Sequence, residues 1–260
     1  MLEFRNVTRR FGDVTAVDNV SLAIAPGQMV GVIGRSGAGK STLLRMVNRL
    51  CEPTSGEIYW GRQPLLSLRG GQLRSWRRRC AMIFQQFNLV PRLDVMTNVL
   101  MGALSDRTAA AALFKAFPAE DRARAVLELD RLGIVDKALT RAQLLSGGQQ
   151  QRVAIARALM QQPDIILADE PVASLDPFNA EVVMRALEEI NRTRGITVIV
   201  NLHALDLARR YCTRIIGMSS GRVMFDGLTS ELTPEVTGRI YAREEFTRPV
   251  LQQDLTESAA

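Results

Sequence analysis

No stretch of this 260-residue chain is apolar over the ~18–20 residues a helix needs to cross a bilayer. The opening MLEFRNV carries charges at Glu3 and Arg5 and no apolar signal region, so export is not expected. Cysteine is scarce. Cys51, Cys80 and Cys212 show neither paired metal spacing nor the density of a disulfide scaffold, which implies reduced thiols in the cytosol. Lysine occurs only at Lys40, Lys115 and Lys137, so arginine carries almost all of the +6 net charge. The densest basic run, RSWRRR (Arg74 to Arg79), has one aromatic and no stacking repeat, which favours a solvated surface near lipid headgroups over a nucleic-acid patch. Internal repeats are absent. What remains is ordinary globular composition, 47% hydrophobic and 23% charged, enough for one domain with a lobe or two small domains.

Val20, Leu22 and Ile24 alternate with small or polar residues, as a half-buried strand does. MVGVI (Met29 to Ile33) is continuously apolar, which predicts a strand covered on both faces. It runs into GRSGAGKST (Gly34 to Thr42), after which Leu43, Leu44, Val47 and Leu50 follow helical spacing. CAMIF, DIILA and ITVIV predict further buried strands, and RIIGM and RVMFD a late hairpin around Ser219-Ser220-Gly221. Between Asn88 and Gln161 the β-branched runs vanish, and Ala125, Leu129 and Leu132 share a helical face with Val126 at its edge. The expected organisation is an α/β core formed by 1–87 and 162–242, a helical lobe over 88–161, and a mobile tail over 243–260.

Three blocks carry chemistry. In the first, Gly34, Gly37 and Gly39 let the backbone curl so that successive N–H groups can meet a triphosphate at a helix N-terminus. Arg35, Ser36 and Ala38 complete that loop. Lys40 supplies a compact charge for the β- and γ-phosphates, Ser41 a hydroxyl for Mg²⁺, and Thr42 reaches the α-phosphate. In the third, IILADEP (Ile165 to Pro171), a strand ends in two carboxylates that point to opposite sides if the chain stays extended. Asp169 could then hold the metal through water while Glu170 faces an attacking water. His203, the sole histidine, follows the ITVIV strand where a side chain can reach a γ-phosphate. The second block, LSGGQQQR (Leu145 to Arg152), places Ser146 as the N-cap of a long helix with Gly147, Gly148 and Gln149 behind it. It is a second anion site, on a different lobe from the first.

With these three blocks in this order, the chain resembles the nucleotide-binding subunits of ABC transporters from about Phe4 to Tyr241. The resemblance implies a RecA-like P-loop core with an antiparallel β subdomain and an inserted helical subdomain bearing the signature. It implies two copies sandwiching two ATP molecules head to tail, each ATP between one Walker A loop and the other copy's Ser146. By motif, Phe11 would stack on adenine, where family members often have tyrosine. Gln85 would touch Mg²⁺ and sense the membrane subunit; FQQ leaves Gln86 as the other choice. Asp176 would cross the dimer and His203 would be the switch histidine. Arg35 departs from the proline many members carry and removes no phosphate donor. FQQFNLVPRLDVMTNVLMGAL, FKAFPAEDRARA, LMQQP, DEPVASLDP and VNLHALDLARRYCTRIIG are similar to the ATPase subunits of phosphonate importers. The resemblance thus implies a homodimeric, Mg²⁺-dependent ATPase at the cytoplasmic face of the cell membrane. It would be peripheral to permease subunits, served indirectly by a periplasmic solute-binding protein, and would not bind nucleic acid. Other readings are an importer ATPase for phosphate, phosphite or polar amino acids, and an ABC accessory subunit of carbon–phosphorus lyase. Those of DNA repair carry long coiled coils, for which this lobe is too short. A P-loop kinase or GTPase leaves LSGGQ unexplained.

Overall fold

The computed structural model of the protein describes residues 1–106 and 117–242. Strands β1 (Leu2–Phe11), β2 (Val14–Ile24) and β3 (Met29–Ile33) lead to helix α1 (Lys40–Val47). Then come β4 (Ser55–Trp60), β5 (Gln63–Pro64), α2 (Gly70–Arg79) and β6 (Cys80–Ile83). A helical stretch contributes α3 (Val95–Leu100), α4 (Ala119–Arg131) and α5 (Gly147–Leu159). The chain returns through β7 (Ile165–Asp169), α6 (Pro177–Arg194), β8 (Thr197–Leu202) and α7 (Leu205–Tyr211), and finishes with β9 (Arg214–Ser219), β10 (Arg222–Leu228) and α8 (Pro234–Tyr241).

Two sheets result. One is antiparallel with order β2-β1-β4-β5; the other has order β10-β9-β3-β8-β7-β6, parallel except for the β9–β10 hairpin. The apolar strands of the second sheet are buried on both faces because side chains alternate along a strand. Val30, Val32, Ile165, Leu167 and Ile199 join Leu43 and Leu44 of α1 and the inner face of the antiparallel sheet. Ile83, Ile166, Ala168, Val198 and Val200 point the other way, against α6 and the helical stretch. There Ala125, Leu129 and Leu132 are buried with Val153 and Ile155 of α5, while Val126 stays 40% exposed, as the helical spacing implies. No helix among the described residues is long and apolar enough to cross a membrane.

One local expectation fails and another holds only in part, each for an identifiable reason. Leu50 is 49% exposed because α1 stops at Val47 and Arg49 adopts a left-handed φ of 58°, which turns the chain before Leu50 can face the core. The arginine run is not simply a solvated surface. As helix α2 it buries Trp76, whose Nε1–H donates to the Val47 carbonyl at 2.8 Å. Arg77 donates to the carbonyls of Asn48 and Arg49, and Arg79 pairs with Asp164 at 2.6 Å. The helix straps the end of α1 to the β6 side of the sheet. The tail 243–260 and the start of the FKAFPAEDRARA segment lie outside the described residues.

Candidate functional site

The parallel strands bring their C-terminal ends to one edge, the place where open α/β sheets bind ligands. β3 opens into the glycine loop, which ends at Gly39 with φ 97°. A Cβ there would stand 2.2 Å from the Ala16 carbonyl oxygen, so only glycine lets the loop pass under β2 into α1. Lys40 is 4% exposed, and its Nζ donates to the carbonyls of Gly34 at 2.8 Å and Arg35 at 3.0 Å. Burial pushes its ammonium below the usual lysine pKa, while Glu170 and Asp169 push it back up. A cleft of about 320 Å³ over this loop is lined by Phe11, Ala16, Ser36, Gly37, Ala38, Gly39, Lys40, Ser41, Thr42 and Glu170. Phe11 is 49% exposed at its rim, with the Arg9 guanidinium 4.2 Å from its ring centroid. Arg35 turns outward and donates to the Tyr241 carbonyl of α8 at 3.4 Å.

Asp169 ends β7 almost fully buried, and its Oδ1 accepts the Ser41 hydroxyl at 2.6 Å. Two further donors hold it: Asn201 Nδ2 on Oδ1 at 2.8 Å and Arg45 Nη2 on Oδ2 at 3.2 Å. The next residue departs from expectation. Glu170 takes φ 53°, so the chain does not stay extended and strand alternation does not aim its side chain. The left-handed turn instead brings Glu170 Oε1 to 2.6 Å from His203 Nε2, just beyond β8. Gln85 is exposed two residues past β6, the strand beside β7.

The signature block forms a capping box. Ser146 Oγ accepts from the Gln149 N–H at 3.3 Å and Gln149 Oε1 accepts from the Ser146 N–H at 2.9 Å, leaving Ser146 exposed. Gly148 packs against α6, where a Cβ would meet Asn179 Oδ1 at 2.4 Å. Asp176 caps α6, accepting from the Asn179 backbone at 3.1 Å and its side chain at 2.6 Å. Those bonds hold the Asp176 carboxyl below the usual aspartate value. Neither Asp176 nor Ser146, Gly147, Gly148 and Gln149 line the cleft around Lys40. One chain therefore gathers the phosphate loop, both carboxylates and the histidine, and presents its signature elsewhere.

A family model described as ABC transporter matches residues 17–173. The chain belongs to the ABC transporter family. Among curated ABC relatives, the phosphonates import ATP-binding protein PhnC of Rhizobium johnstonii is 62% identical over 245 residues, 94% of this chain and 88% of that one. The protein of the same name from Agrobacterium fabrum is 62% identical over 240 residues, covering 92% and 84%. Among solved ABC structures, a dimeric cassette in a post-hydrolysis state bound to ADP and Pi superposes with TM-score 0.77 at 37% identity, covering 88% of this chain and 99% of that one. A nucleotide-free cassette gives 0.82 at 26% identity, covering 94% and 99%. The RecA-like P-loop core with its antiparallel sheet is the ABC ATPase fold. Asn201 and Arg45 had escaped the motif reading. Asn201 is legible only as one polar residue breaking an apolar strand, and the pairing that sets it beside Asp169 comes from the fold; Arg45 reads as one more surface arginine.

Proposed function

We propose that this protein is the ATP-hydrolysing subunit of an importer for phosphonate or a related phosphorus oxyanion. It would work as a homodimer at the cytoplasmic face of the cell membrane, on permease subunits fed by a periplasmic binding protein. The observation that carries the ATPase reading is the meeting of Lys40, Ser41, Asp169, Glu170 and His203 at one sheet edge. The solute follows from relatives named for phosphonate import at 57–62% identity. In this reading 88–161 is a subdomain that carries the signature toward a second copy.

The residues present fit Mg²⁺. Its expected donors are hard oxygens, the Ser41 hydroxyl and the Asp169 carboxylate, and no cluster of three His, Cys, Asp or Glu occurs among the described residues. That set suits an ion held largely by nucleotide phosphates and water rather than by a protein cage. Ser41 and the Gln85 side-chain oxygen would hold it directly and Asp169 through a water. Bound there, the ion would supply positive charge against the β- and γ-phosphate oxygens.

The remaining chemistry belongs to the chain. Phe11 stacks on adenine. The N–H groups from Gly34 to Thr42 take the phosphates, and Lys40 exchanges its loop carbonyls for β- and γ-oxygens. Glu170 accepts the proton of the attacking water as its oxygen bonds to the γ-phosphorus and the bond to the β–γ bridging oxygen breaks. His203, already in contact with Glu170, donates to the γ-phosphate. The Ser146 cap of a second copy supplies further N–H donors, with Asp176 beside it. Water and phosphorus must stay in line, so positioning and charge do most of the work. Reconstitution with the cognate permease and binding protein tests the solute. A phosphonate should stimulate ATP hydrolysis more than phosphate or a polar amino acid does; stimulation by the amino acid alone would refute the assignment.

A further inference from the structure

Within β8, the apolar stretch from Val198 to Leu202 is broken once, by Asn201, which is completely buried. Alternation puts Asn201 on the same face as Ile199, toward α1, and Asp169 on the same face as Leu167. The two residues are direct neighbours across the parallel pair. Asn201 Nδ2 donates to Asp169 Oδ1 at 2.8 Å, on the oxygen that also takes the Ser41 hydroxyl. The other end of the amide, Oδ1, is buried and has no hydrogen-bond partner among the described residues. Turning the amide over would set its oxygen against the carboxylate, so the assignment is fixed by charge. An unsatisfied buried carbonyl is unfavourable, and an apolar side chain at this strand position would leave none. The side chain's benefit must therefore lie at its donor end.

We propose that Asn201 is a positioning residue for the metal–nucleotide complex. Its N–H keeps the Asp169 carboxylate oriented when the Ser41 hydroxyl is drawn away to the cation. Of the three donors on Asp169, Asn201 is the fully buried one anchored in the sheet; Ser41 is itself an expected metal ligand, and Arg45 is a half-exposed helix residue. The inference rests on the ATPase reading above. Outer-shell partners of a metal site cost ~10–100-fold in metal affinity when removed, and the lower end applies to Asn201 because Asp169 reaches the ion through water.

The test compares equilibrium binding of fluorescent ADP with excess Mg²⁺ and with EDTA. In Asn201→Leu, close to asparagine in shape, the Mg²⁺ enhancement of ADP affinity should fall about tenfold. The affinity in EDTA should stay within about twofold, because no phosphate donor has changed. Asn201→Ala, measured the same way, serves if the leucine does not fold. An unchanged enhancement, or equal loss with and without Mg²⁺, would overturn the inference alone. A wild type whose ADP affinity ignores Mg²⁺ would overturn the metal-dependent reading and this inference with it.

Discussion

Replacing Glu170 with glutamine changes one oxygen for an NH₂ and nothing in volume. The side chain can still meet His203 at the 2.6 Å contact, so the pocket should keep its shape. The charge is lost, and with it the ability to take a proton from water. General bases of this kind contribute ~10²–10⁴-fold, equivalent to about 3–5 kcal/mol of barrier. Glu170 also raises the pKa of Lys40, so the substitution weakens the carboxylate field on that ammonium. The expected result is ATP binding near wild type, single-turnover hydrolysis slowed at least about a hundredfold, and accumulation of an ATP-bound dimer on size exclusion. Nucleotide binding and turnover are measured on the same preparation, so a folding defect would show as loss of both. Wild-type turnover in Glu170→Gln would refute the general-base role.

Three further outcomes are expected. Phe11→Ala should weaken ATP binding about tenfold, the order of one base stacked on an aromatic ring, with Phe11→Tyr near wild type; unchanged affinity in the alanine variant would place the adenine elsewhere. Asp176 has a folded-state pKa below its ordinary 3.8. Its capping contribution is therefore complete above that value and lost as pH falls through the lowered folded-state value. Acid unfolding followed by circular dichroism should be less steep in Asp176→Asn, which keeps a capping oxygen but cannot titrate; an identical acid limb would count against a contribution from the ionised carboxylate. Trp76→Ala removes a fully buried ring and its bond to Val47, costing roughly 3–5 kcal/mol and about 10 °C of Tm, whereas Arg74→Ala should leave Tm within about 2 °C.

The strands of the larger sheet were legible because each run sits between turn signals and is long enough for one strand; β1, β4 and β5 of the antiparallel sheet were not, since charged and polar residues interrupt their apolar positions. The phosphate loop and the carboxylate pair were legible because chemistry needs those residue types at those spacings. Glu170's left-handed turn was not, since extended geometry is the default reading of a strand end and only the packed loop shows the departure. Asn201 was hidden for another reason: its function lies across a strand pair, and sequence distance says nothing of that register. The arginine run was legible only in part, because a helix can aim its tryptophan inward while the exposed Arg77 guanidinium beside it reaches carbonyls at the end of α1. Residues of the signature were recognisable as a cap. Their place on a different lobe was legible too, and none of them lines its own chain's cleft.

Hydrolysis is expected to need two chains, with Lys40 of one copy and Ser146 of the other serving the same ATP. Specific ATPase activity measured against protein concentration, with Ser146→Arg in parallel, tests this most directly. Activity per subunit should rise with concentration until dimers saturate, and the Ser146→Arg variant should bind ATP yet be inactive. Constant activity per subunit down to concentrations where the protein is wholly monomeric would contradict it.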